Sequence, residues 1–167
     1  MFDTVGRFLE GISARTDSYI LTRVFAPIAD RYSSQPLTSA GLVISAGGAT
    51  TAKTGASAFY ATAGGSLVSV AGSTTLPVLT GINTTVGGYY QVACFFVDSA
   101  GTLTVAGGAQ GATLGAVGWP QFPVKKALVG FLIITYASAF TGGTTPLDTA
   151  TTVYVSPLGP FDPTVVN

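Results

Sequence analysis

From Leu37 onward the chain is a succession of short β-prone runs punctuated by Gly, Thr, Ser, Ala and Pro, and this pattern restricts the fold most. The runs are Gly-Leu-Val-Ile-Ser (41–45), Ser-Ala-Phe-Tyr-Ala-Thr (57–62), Ser-Leu-Val-Ser-Val (66–70), Leu-Pro-Val-Leu (76–79), Tyr-Tyr-Gln-Val-Ala-Cys-Phe-Phe-Val (89–97), Gly-Thr-Leu-Thr-Val (101–105), Lys-Ala-Leu-Val-Gly-Phe-Leu-Ile-Ile-Thr-Tyr (126–136) and Thr-Thr-Val-Tyr-Val (151–155). Seven or eight strands at intervals of roughly ten residues predict a mainly β protein, an antiparallel β-sandwich or small barrel. Asp-Ser-Ala-Gly (98–101) is a hairpin turn by composition, because Asp, Ser and Gly accept turn dihedrals that bulky residues resist. It makes 89–97 and 102–106 antiparallel neighbours. The run 127–134 is apolar throughout and reads as a central strand covered on both faces. Residues 106–120, rich in Gly and Ala, read as a structured loop.

Charge divides the molecule. Of seven basic and seven acidic residues, Asp3, Arg7, Glu10, Arg15, Asp17, Arg23, Asp30 and Arg31 lie in the first 31 positions. The remaining 136 residues carry only Lys53, Asp98, Lys125, Lys126, Asp148 and Asp162. In the first region Phe2, Val5, Phe8, Leu9 and Ile12 fall at helical spacing, and Tyr19, Ile20, Val24 and Phe25 form a second periodic set after Thr-Asp-Ser (16–18). The spacing predicts two short amphipathic helices, the second stopped or kinked at Pro27, followed by a Ser-Ser-Gln-Pro (33–36) linker. The expected organisation is therefore an amphipathic helical arm over 1–36, serving as anchor or oligomerisation segment, and a β-sandwich domain over 37–167.

Composition removes most chemistry. The chain has no histidine, so it lacks the commonest general base and metal ligand together. Its single cysteine, Cys94, can form neither an internal disulfide nor a Cys-rich zinc site, and reads as a small buried hydrophobe. Beyond the arm the only carboxylates are Asp98, Asp148 and Asp162, too few and too scattered to suggest the facing pair of a glycosidase. The stretch 42–54 imitates a phosphate loop, with Gly47 and Lys53-Thr54 in place, but Ala52 stands where the second glycine belongs and no helical pattern follows; a turn is expected. A net charge of zero without a basic cluster gives no footprint for nucleic acid. The uncharged span 127–147 is interrupted by Thr-Gly-Gly-Thr-Thr-Pro (141–146), which argues for core rather than a membrane helix. Asp3 and Glu10 stand where a signal peptide would be basic and then apolar, so the chain is expected to stay where it is made. Tyr89, Tyr90, Trp119, Phe122, Tyr136 and Tyr154 could stack sugars, but core packing or a subunit interface explains the same rings. The expectation is a protein with no enzymatic activity, no cofactor and no metal.

Elimination leaves a component of an assembly. Only 8% of residues are charged, against about 25% in an ordinary domain, a composition suited to surfaces buried against neighbours. The sequence Gln110-Gly-Ala-Thr-Leu-Gly-Ala-Val-Gly-Trp-Pro-Gln-Phe-Pro, then Lys126-Ala-Leu-Val-Gly-Phe-Leu-Ile-Ile, then Phe140-Thr-Gly-Gly-Thr-Thr-Pro-Leu-Asp148 resembles small structural proteins of tailed-bacteriophage virions, of the head decoration, cement or head-fibre type. The resemblance spans about residues 89–160. It implies a jelly-roll-like or immunoglobulin-like sandwich and a homo-oligomer, dimer or trimer. It also implies the major capsid protein as partner and a place on the capsid surface after synthesis in the host cytoplasm. The alternative is a tail-fibre or receptor-binding accessory protein recognising host glycans. The residues expected at an interface are Phe2, Val5, Phe8, Leu9, Ile12, Tyr19, Ile20, Phe25 and Trp119.

Overall fold

A computed structural model describes residues 25–161. The predicted first helix, with Phe2, Val5, Phe8, Leu9 and Ile12, and the start of the second, with Tyr19, Ile20 and Val24, lie outside the described residues, as does Asp162. One helix, α1 (Ala26–Ser33), precedes nine strands: β1 (Gln35–Pro36), β2 (Val43–Ile44), β3 (Ala52–Lys53), β4 (Phe59–Ala63), β5 (Ser66–Val70), β6 (Tyr90–Val97), β7 (Leu103–Gly107), β8 (Ala127–Thr135) and β9 (Thr151–Val155). They form a three-stranded sheet β1-β4-β5, a β2-β3 hairpin and a four-stranded sheet β7-β6-β8-β9, all antiparallel. The protein is a mainly β, sandwich-like fold, as its runs predict.

The alternation along β4 puts Phe59, Ala61 and Ala63 inside and Tyr60 outside, and β5 matches it with Val68 and Val70 inside. These side chains meet Ala93, Phe95 and Val97 of β6 and Ala127, Val129, Leu132 and Ile134 of β8 in the main core. Strand β6 is buried from Gln91 to Val97, and its opposite face carries a second cluster of Val92, Cys94 and Phe96 with Leu128 and Phe131 of β8. Among the described residues no further sheet covers that cluster. Val117, Trp119 and Phe122 of the loop 108–126, joined by Phe161, pack over it. The two central strands are therefore apolar on both faces because the chain builds three layers, the third made of loop.

The loop is pinned by its backbone. Gly108 N–H donates to Val92 (3.0 Å), Tyr90 and Gly111 exchange a pair of bonds (2.8 and 3.0 Å), and Gly118 N–H donates to Ala109 (3.0 Å). The Gln91 side-chain amide, itself buried, donates to the Gly108 carbonyl at 2.8 Å.

The expected hairpin at 98–101 joins β6 to β7, with Val97 opposite Leu103 and Phe95 opposite Val105. Gly101 at φ +82° supplies the left-handed turn residue, which costs glycine little. The imitation phosphate loop is the β2-β3 hairpin, with Lys53 in a strand opposite Val43.

Pro27 stands in the first turn of α1, where its missing N–H would have had no partner anyway, and the segment it is expected to stop or kink lies before Phe25, outside the described residues. Two expectations change. Residues 33–36 are not a linker: Gln35 and Pro36 pair with Thr62 and Ala61, Gly65 N–H donates to Ser33 (2.9 Å), and Gly64 N–H donates to the buried Ser34 hydroxyl (2.9 Å). The sheet thus begins two residues before the expected start at Leu37, and α1 is tied to it. Leu-Pro-Val-Leu (76–79) buries Leu76 and Leu79 but forms no strand, since Pro77 has no N–H to enter a ladder.

Candidate functional site

Two of the expected interface residues are described. Phe25, at the start of α1, is 55% exposed. Trp119 is half-buried in its own domain, edge-on to Phe131 (ring centroids 4.9 Å) and beside Phe161 (5.3 Å), while Phe122 stands edge-on to Phe96 (5.2 Å). Such edge contacts satisfy the rings' quadrupoles within the molecule, and Trp119 serves to seat the covering loop.

The site built around Phe25 is α1, whose two faces are inverted relative to an ordinary surface helix. Its charged residues turn toward the sandwich. The Asp30 carboxylate accepts the Lys125 backbone N–H at 2.8 Å, and the Arg31 guanidinium lies 4.5 Å from the centroid of the Phe122 ring. Burial pulls the Arg31 pKa below its usual value, partly opposed by neighbouring Asp30. Meanwhile Phe25, Ile28 and Tyr32 are 55%, 48% and 65% exposed. At 100° per residue, positions 25, 28 and 32 fall on one side of the helix. Ile28 and Tyr32 were not among the residues singled out from sequence. Apolar spacing is ordinarily assigned to the core face, and nothing in the pattern announces that here the charges fill it.

The carboxylates serve loops, each holding a different backbone segment. Asp148 Oδ2 accepts the Gly48 N–H at 2.7 Å. Asp98 Oδ1 accepts the N–H groups of Ala100 (3.0 Å) and Thr102 (2.9 Å), and Oδ2 lies 3.8 Å from Lys126 Nζ. The Thr102 N–H, then that of Ala100 and the charge of Lys126, hold the Asp98 carboxyl below the usual carboxylate range. Among the described residues no group of three or more His, Cys, Asp and Glu is placed to hold a metal ion, and no helix is long and apolar enough to cross a membrane. Cys94 is fully buried, and burial raises its thiol pKa well above the ordinary value. The six rings that could have made a sugar platform are divided. Trp119 and Phe122 lie on the outer face of the large sheet, whereas Tyr136 and Tyr154 pack against the inner core.

The geometry of Asp98 fixes a prediction. Asp98→Ala removes both acceptors and should lower the melting temperature; Asp98→Asn keeps an oxygen at Oδ1 and should lower it less. The folded pKa is depressed, so the stabilisation is present above the unfolded value of about 3.9 and lost as pH falls through the folded value. Melting curves between neutral pH and acid should therefore show wild type and Asp98→Asn converging. A difference that stays constant with pH would show that the carboxylate charge contributes nothing.

Compared with protein-family models, curated proteins and solved structures, the chain matches none of them.

Proposed function

We propose that this chain is a non-enzymatic structural protein of a bacteriophage virion, which binds the outside of the capsid as a decoration or cement protein and stabilises the shell. Its partners are the major capsid protein and other copies of itself. The observation that carries the proposal is the character of the surface. Among the described residues thirteen large apolar side chains are 42% or more exposed, including Val124 (72%), Leu67 (69%) and Tyr32 (65%), whereas the same residues include only seven charges. A domain living alone in water usually keeps itself soluble with about a quarter to a third of its surface charged. A subunit packed among neighbours needs far less charge, because association removes the apolar area from water at roughly 25 cal/mol per Å². The resemblance carried by 110–148 supports a phage head as the place.

The test is co-sedimentation of the full-length protein with capsids that lack it. Saturable pelleting at a fixed ratio to the major capsid protein, with a rise in the temperature at which the shells break, is the expected result. A protein that remains in the supernatant at all ratios overturns the proposal.

A further inference from the structure

We propose that the solvent-facing stripe of α1, made of Phe25, Ile28 and Tyr32, is the seam on which a second copy of this chain docks. The stripe does not arise from a lack of polar residues in the helix. Asp30 and Arg31 are present and are committed to the sandwich through the Lys125 N–H and the Phe122 ring, leaving the apolar side chains outward. A helix arranged this way leaves unfavourable area in water until something apolar covers it.

Two features favour a second copy as the cover. The exposed side chains are spaced three and four residues apart, the pattern in which one helix packs against another like itself, each side chain entering a gap between four on the partner. The stripe and the exposed Ala26 and Ala29 beside it carry no charge, so identical surfaces meet without like-charge repulsion, and a partner of opposite charge would find nothing to pair with. A two-fold axis requires a self-complementary patch, and a short apolar stripe of this kind is one. The seam deepens the homo-oligomer part of the proposed function, yet it holds whether or not the oligomer attaches to a shell.

The experiment is the mass of the full-length protein in solution, without capsids, by light scattering across concentration. Wild type should have at least twice the mass of the 16.8 kDa chain, and Ile28→Lys/Tyr32→Lys should return it to one chain while Trp119 fluorescence stays native. A second measurement avoids dependence on how the charged variant folds. Under mild oxidation Ile28→Cys should form a covalent dimer, whereas Val86→Cys, at a site with the same 48% exposure, should not; Cys94 is buried and silent. A monomeric wild type overturns the proposal, whether the stripe is covered by residues 1–24 of the same chain or by a different protein. So does an oligomer that persists in the double variant, or equal cross-linking at both cysteines. Capsid co-sedimentation of the double variant separates the two proposals: a monomer that still pellets supports the seam and shows that shell binding does not depend on it, whereas an oligomeric double variant that pellets overturns the seam and leaves the capsid role supported.

Discussion

Phe131→Ala should be among the most damaging substitutions in the described part of the molecule, lowering stability by about 3–5 kcal/mol. Phe131 is 1% exposed on β8, and its ring meets Trp119 at 4.9 Å and Phe161 at 5.3 Å, so truncation opens a cavity beneath the loop layer and removes the surface on which that layer rests. Edge-to-face aromatic pairs add about 0.5–1.5 kcal/mol each beyond the area they bury. At about 2–4 °C per kcal/mol for a chain of this size, the melting temperature should fall by on the order of 10 °C. The experiment has an internal reporter, because Trp119 is the only tryptophan. Phe131→Ala should shift native Trp119 emission to the red as the loop loosens. Phe95→Ala, on the opposite face of β6, should cost a similar amount of stability and leave the native emission where it was. Unchanged emission in Phe131→Ala would mean that the loop is held without this ring.

Gly108→Ala should be the second severe change, for a different reason. A Cβ at Gly108 would lie 1.8 Å from the carbonyl oxygen of Gly118 and 2.9 Å from its carbon, and these are backbone atoms that cannot rotate aside. The two arms of the loop are in close contact there, with Gly118 N–H bonded to Ala109 and Gly108 N–H bonded to Val92. Relief requires the 108–118 hairpin to open or lift from β6. Overpacking costs about 1–3 kcal/mol and occasionally more, and Trp119 emission should move with it. Gly115→Ala is the control. It is a loop glycine with open space around its Cβ position, and its substitution should fall within about 0.5 kcal/mol of wild type. Equal effects at both positions would show that propensity, not the close approach, governs the loop.

Much of this architecture was legible because it follows from local rules. Alternation and β-branched or aromatic content mark β4 to β9, and Asp98 and Gly101 mark the β6-β7 turn through their own backbone preferences. The buried central strand Ala127–Thr135 is legible in the sequence as the uninterrupted apolar run 127–134. What escaped depends on partners distant in sequence. Pro36 enters a sheet only because Ala61 lies opposite, 25 residues away, and Leu76 is buried without a strand because its N–H finds Ala52. The candidate interface was half legible. Phe25 stands exposed beside α1, on the apolar spacing the sequence shows, whereas the half-burial of Trp119 against Phe131 depends on a strand packed beneath the loop, which spacing does not carry.

The sequence alone determined that this is a mainly β molecule, since strand periodicity is a property of residues taken in order. Which faces those residues present was decided only by the tertiary structure. Spacing makes Asp30 and Arg31 one side of α1 and Phe25, Ile28 and Tyr32 the other, but it carries no sign. The sign is set by Lys125 and Phe122, more than 90 residues away, whose backbone N–H and ring give the charged side its partners and leave the apolar side to water.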